Sequence, residues 1–243
     1  MSSFISRRWF LALAAATIIA RRSFSAAPDK MPGVPTDLDH ILLGVSDLDH
    51  GIAWMEERSG IRAVFGGVHP GRGTRNALLS LGPRRYLEII APDPAQKGSG
   101  PDQGLPEQLR AMQEPRLIEW AAHTNDLGAL VQKAAAAGIA IAGPRNGSRA
   151  RPDGKMLRWR SFSLQDDLSG ALPFFIEWSR DSVHPSQDSP SGCVLLQFSV
   201  ESPKAKDVAG AAGKLGLDVS VKSGSQTRLH ARISGKKGEF DLT

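Results

Sequence analysis

Two acids stand where a soluble chain rarely leaves one unaccompanied. Glu88 is embedded in Tyr86-Leu87-Glu88-Ile89-Ile90 and Glu177 in Phe174-Phe175-Ile176-Glu177-Trp178, runs that otherwise read as buried strands. An ionised carboxylate among apolar neighbours is costly unless it is paired, hydrogen-bonded or bound to a cation. The pair therefore predicts one shared central site in which a carboxylate moves a proton. Desolvation raises a carboxylate's proton affinity, so Glu177, between Ile176 and Trp178, is expected to be the base and Glu88 its companion.

Three further groups have types suited to holding a ligand. The segment His69 to Asn76 brings one imidazole, two guanidinium groups and one amide together with two glycines and a proline, and such a loop can also turn backbone N–H groups towards an anion. His69, Arg75 and Asn76 are accordingly candidate substrate contacts at a rim. The alternation of Met156 to Leu164 separates Arg158, Arg160 and Phe162 from Leu157, Trp159 and Ser161. An arginine directed inward could clamp a carboxylate or enediolate, and Arg158 is the candidate, with Arg160 read as outward. His184 precedes Pro185 in a Ser/Pro-rich stretch and is a candidate lid residue.

Positioning these groups falls to a duplicated unit. Thr36 to Ser46 reads as a strand leading to Asp47-Leu48, a helix with Ile52, Met55 and Glu56 at helical spacing, and then Gly60-Ile61. The order returns at Leu117 to Asn125, Asp126-Leu127, a helix with Leu130, Val131 and Ala134, and Gly138-Ile139. Asp47 to Gly60 is 13 residues and Asp126 to Gly138 is 12. Three matched features in order make duplication the reading. Short strands follow in each copy, at Arg62 to Phe65, Arg75 to Leu81 and Tyr86 to Ile90, then at Ala140 to Ala142, Met156 to Leu164 and Phe174 to Trp178. Pro144 to Gly154, rich in Gly, Pro, Arg and Ser, reads as loop. The expectation is an α+β protein: a first βαβββ module at 36–92, a linker at 93–115, a second βαβββ module at 116–183, and a C-terminal partial βαββ unit at 192–243. That last unit has no embedded glutamate and is assigned no chemistry.

Between Pro35 and Val183 the chain resembles the vicinal oxygen chelate superfamily in its glyoxalase-like branch. The resemblance rests on Leu38-Asp39-His40, on Gly66 to Leu78 with its Gly-His-Pro-Gly neighbourhood, on Tyr86 to Pro92, on Leu157 to Arg160 and on Phe174 to Trp178. It implies that the two modules pair into a cupped, incomplete barrel with a metal or substrate site inside. It also implies metal ligands on the first and last strand of each module, which map onto His40, Glu88, Glu119 and Glu177, with Glu119 standing where many relatives have His. His123, four residues beyond Glu119, is the alternative ligand. One His with three Glu offers oxygen ligands suited to Mg, Mn or Fe(II), with Zn a further divalent candidate. His40, His123 and one Glu would instead form the two-His-one-carboxylate arrangement of non-haem Fe(II). Equally, His40 and Glu88 could bond one another or a substrate with no metal. The superfamily hosts isomerases, lyases, dioxygenases and epimerases, and also non-catalytic binders that sequester a small ligand, so both classes stay open.

The ends and the charge bound the remaining classes. Ser6-Arg7-Arg8-Trp9-Phe10-Leu11 carries a twin-arginine pattern ahead of an apolar stretch to Ala20 too short to span a bilayer, so residues 1–27 are expected to be a cleaved export signal and the protein periplasmic or secreted. Four of the 30 Lys and Arg, and none of the acids, lie in that segment, so the formal charge of +5 falls to +1 without it. The basic balance thus belongs to the signal, and no nucleic-acid partner is expected. Membrane contact is expected only during export, the partner is a small molecule, and a homodimer is a further candidate. Cys193 is alone, which excludes an internal disulfide.

Overall fold

The central strand β1 (Leu38–Gly44) is buried along its whole length. Its apolar run suits a strand covered on both faces. Asp47 then starts helix α1 (Leu48–Ser59) by accepting from the His50 N–H, and Gly60 ends it with a left-handed φ of 74°. Leu48, Ile52 and Met55 form its buried stripe. Strands β2 (Val64–His69), β3 (Thr74–Ser80) and β4 (Tyr86–Pro92) complete the first module. The computed structural model describes residues 33–96, 104–151 and 153–243, so the expected export signal lies outside the described residues.

The second module repeats the order with β5 (Arg116–His123), α3 (Leu127–Ala136), β6 (Ile141–Ala150), β7 (Met156–Leu164) and β8 (Phe174–Trp178). Asp126 caps α3 through the Ala129 N–H. In each module the first strand lies parallel to the last, β1 beside β4 and β5 beside β8, and β1 runs antiparallel to β5. The result is one eight-stranded sheet in the order β2-β3-β4-β1-β5-β8-β7-β6. It curls into a half-barrel whose edge strands approach where Gly67 of β2 meets Arg149 of β6.

Three differences from the sequence reading have physical reasons. First, β6 runs through the Gly/Pro/Arg/Ser segment expected to be loop; it is an edge strand, where a proline and charged side chains cost little ladder bonding. Second, the expected linker contains helix α2 (Leu105–Arg110), whose Leu109 packs with Leu42 and Ile90 and fills one end of the cup. Third, β9 (Val194–Ser202), α4 (Ala205–Leu215), β10 (Ser220–Ser223) and β11 (Arg228–Gly235) are joined by an additional strand, β12 (Gly238–Leu242). Their sheet order, β10-β9-β11-β12, is not that of either module.

This second sheet and helices α1 and α3 cover the convex face of the large sheet. Leu38, Ile41 and Leu43 of β1, Trp120 of β5 and Phe198 of β9 belong to one continuous core, with the Trp120 and Phe198 rings 5.2 Å apart. The concave face is left with a separate set of side chains.

Candidate functional site

A β-bulge sets up the site. Between β1 and β5, Leu38 pairs with Ala122 and His40 with Ala121, so Asp39 and His40 together oppose a single residue. A bulge of this kind re-aims side chains. Here Asp39, 0% exposed, bonds to groups on the concave side. Its Oδ1 accepts from His40 Nδ1 at 2.7 Å, and its Oδ2 accepts from Trp178 Nε1 at 3.0 Å and from His184 Nε2 at 3.1 Å. Burial pushes this carboxyl up, but the donors from His184 and His40 overcome it and hold it far below the usual carboxylate range. An ionised Asp39 can only accept, so His40 carries its proton on Nδ1 and presents Nε2 to the cup.

Glu88 stands opposite that nitrogen. Its Oε2 lies 3.6 Å from His40 Nε2 and its Oε1 lies 3.5 Å from His69 Nε2. Asn76 Nδ2 donates to Glu88 Oε1 at 2.7 Å and lies 3.2 Å from His69 Nε2, while His69 Nδ1 is 2.8 Å from the Thr74 hydroxyl. The hairpin carries these groups: β2 delivers His69, the turn at 70–73 reverses the chain, and β3 delivers Thr74 and Asn76. Burial raises the Glu88 carboxyl's proton affinity, but the charges of His69 and His40 and the Asn76 hydrogen bond outweigh it, so the net shift is downward. Glu88 is an ionised, buried carboxylate between two imidazoles.

Aromatic rings wall this cluster. His40 stacks on Tyr86 at 4.5 Å and meets the edge of Phe174 at 5.4 Å. His184, 8% exposed, lies at 5.6 Å from Tyr86 and 5.5 Å from Trp178, so the stretch after β8 folds back over the cup. Burial, followed by the Glu88 and Asp39 charges, pushes the Tyr86 phenol upward, so it stays protonated. Some surface remains on His69 and Glu88, whose side chains are 12% and 10% exposed.

Of the sequence-derived candidates, His40, His69, Asn76, Glu88 and His184 are brought together. Glu177 is not. Both Tyr86 and Phe174 touch His40, so both face the cup; Glu88 is two residues past Tyr86, but Glu177 is three past Phe174. With a side-chain period of two, that odd step puts Glu177 on the convex face. There its Oε2 accepts from the Leu127 N–H at the start of α3 and pairs with the Arg160 guanidinium. The expected sharing of one site by Glu88 and Glu177 is therefore corrected.

Arg158 shares the outward face, 55% exposed and 3.6 Å from Asp181. Arg75 alternates away from Asn76, and its charge lies near Asp93. Glu119 faces the cup opposite Leu42, which also neighbours Glu88; two strand spacings, roughly 10 Å, therefore separate the acids. His123 opens onto a cavity of about 260 Å³ lined by Leu130, Phe175, Leu215 and Leu217 on the helical side.

The ligand set His40, Glu88, Glu119 and Glu177 thus does not converge, and His123 does not repair it. His40, His69 and Glu88 do approach one another, and Asn76 Nδ2 points into the cluster, where it engages His69 Nε2 and Glu88 Oε1. Among the described residues no three His, Cys, Asp or Glu are placed to hold a metal ion. The four residues expected as ligands therefore do not form one metal site.

Sequence reasoning gave no role to Asp39, Tyr86 or Arg149. Asp39 carried the same signal as Glu88, an acid inside an apolar strand. Arg149, 4% exposed on β6, lay in a stretch whose composition hid a strand.

Comparison with known proteins follows the fold. A family model described as a glyoxalase-like domain matches residues 38–233. A hypothetical protein from Staphylococcus aureus superposes with a TM-score of 0.65 at 17% identity, covering 80% of this chain and 88% of that one. Methylmalonyl-CoA epimerase from Mycobacterium tuberculosis gives 0.45 at 22% identity, covering 61% and 91%. The Streptomyces coelicolor methylmalonyl-CoA epimerase in complex with 2-nitronate-propionyl-CoA gives 0.44 at 21%, covering 60% and 97%. No curated protein matched the sequence.

Proposed function

Because the chain belongs to the glyoxalase-like domain family of the vicinal oxygen chelate superfamily, we propose that it is an enzyme that moves a carbon-bound proton in a small, oxygen-rich molecule held in the cup. The observation that carries this reading is the buried Glu88 carboxylate, facing His40 Nε2 at 3.6 Å and His69 Nε2 at 3.5 Å. Burying such a set costs desolvation energy, and ionisable groups held in this way cluster at functional sites. Glu88 takes the proton from a carbon next to a carbonyl, and the electron pair moves onto the carbonyl oxygen. The proton then returns to the same carbon or its neighbour, giving epimerisation or isomerisation. His40, fixed by Asp39 through Nδ1, exchanges protons through Nε2 in the manner of a carboxylate-oriented imidazole.

The test is solvent deuterium incorporation, followed by NMR, into a panel of small hydroxycarbonyl compounds and 2-oxo acids. Catalysed exchange that is lost in Glu88→Gln supports the reading. Tight binding with no catalysed exchange would instead favour a non-catalytic binder in the same cup. Export by the twin-arginine route is part of this proposal and rests on Ser6 to Leu11. It predicts that replacing Arg7 and Arg8 by Lys retains the protein in the cytoplasm.

A further inference from the structure

Among the described residues, a guanidinium beside the cup has one buried nitrogen with no hydrogen bond. Arg149 is 4% exposed, yet its Nη1 is buried with no hydrogen bond. Register with β7 sets Arg149 opposite Leu157, which is itself buried, and the side chain reaches across the seam to β2. The backbone there is open to receive it: a Cβ on Gly67 would stand 2.9 Å from Nη1 and 3.0 Å from the Ala150 carbonyl oxygen. Gly67 also has a φ of 145°, which a side chain would oppose. The guanidinium charge acts on both Glu88 and Tyr86, so it is directed at the site. A second buried orphan, Asn76 Oδ1, lies against the adjacent Gly66, whose Cβ would come within 2.5 Å of it. A buried donor and a buried acceptor both left unmade are expensive, and both border the same glycine pair.

We propose that Arg149 is the carboxylate-binding residue of the cup, its Nη1 donating to the carboxylate of a small organic acid that carries a second oxygen on the adjacent carbon. This names the substrate class of the site proposed above and rests on that reading. A guanidinium suits this role because it stays charged when buried and offers its donors in a plane that matches a carboxylate. Gly67 keeps the space that lets it do so. The acid's second oxygen then lies towards Glu88 and His40, where proton transfer takes place.

Oxalate, a small acid with no exchangeable carbon-bound proton, and oxamide, its uncharged counterpart, are the probes. Calorimetry on the full chain is expected to show oxalate binding that falls at least 30-fold in Arg149→Met and less in Arg149→Lys, with oxamide binding equally to all three. Without ligand, Arg149→Met should melt only slightly below the wild type, because Nη1 has no hydrogen bond to lose and only the charge attraction to Glu88 goes; oxalate should raise the melting temperature of the wild type much more than that of Arg149→Met. Equal oxalate affinity in wild type and Arg149→Met, or no wild-type binding at about 10 mM, overturns the assignment. So does a large fall in the melting temperature of ligand-free Arg149→Met with its oxalate response intact, which would make the residue structural. Glu88→Gln separates the two readings: oxalate binding that depends on Arg149 stands whether or not exchange is found, and exchange that depends on Glu88 stands whether or not Arg149 binds oxalate.

Discussion

Asp39 and Glu88 are both acids inside apolar strands, and their surroundings divide the work between them. Asp39 is spent on three donors, whereas Glu88 keeps one oxygen facing His40 without a hydrogen bond. Asp39→Asn, which leaves His40 and His184 without their anionic partner, is expected to cost about 3 kcal/mol. The Asp39 carboxyl is lowered on folding, so its stabilisation is complete above the unfolded value of about 3.9 and is lost as pH falls through the folded one. Urea denaturation of wild type and Asp39→Asn should therefore differ by a constant amount from pH 7 to about 4, with the gap closing below that. Glu88, also lowered, stays ionised across the neutral range, so the acid limb of the exchange rate should fall below the ordinary glutamate value of 4.5. Glu88 and His40 were legible because an acid or imidazole in an apolar run is anomalous on its own. Glu177 showed the same anomaly, but which face it occupies depends on a one-residue register that composition does not carry.

At the level of elements, α2 and α3 make opposite claims on the site. α2 plugs the cup through Leu109, which is fully buried against Leu42 and Ile90. Leu109→Ala should cost about 2 to 4 kcal/mol in thermal or urea unfolding and should also loosen ligand binding, because the plug adjoins the concave face. α3 uses Glu177 only to accept its Leu127 N–H, so Glu177→Gln should cost at most about 1 kcal/mol. The repeated strand, helix and Asp cap were readable at Asp47 and Asp126, since capping and helical spacing are local physics. β6 was not: edge strands tolerate the residues that also make loops, and Arg149 was lost with it.

Across the whole molecule, two faces of one sheet are assigned different tasks. The convex face is closed by the C-terminal sheet through Phe198 on Trp120, and the concave face holds the polar cluster. Phe198→Ala should destabilise by about 3 to 5 kcal/mol while leaving ligand affinity unchanged in the folded fraction. Sequence patterning revealed the duplication and the α+β class, because both follow from period and order. The topology of the last unit was hidden, since nothing local specifies which existing edge a strand joins. The proposed chemistry lies on the concave face around Glu88, and Glu177 has no part in it. Solvent deuterium exchange on one responsive compound, compared between Glu88→Gln and Glu177→Gln, tests this most directly. A loss of 100-fold or more in Glu88→Gln, with Glu177→Gln within about twofold of wild type, is the predicted result. Comparable losses in both variants, or no loss in Glu88→Gln, would contradict it.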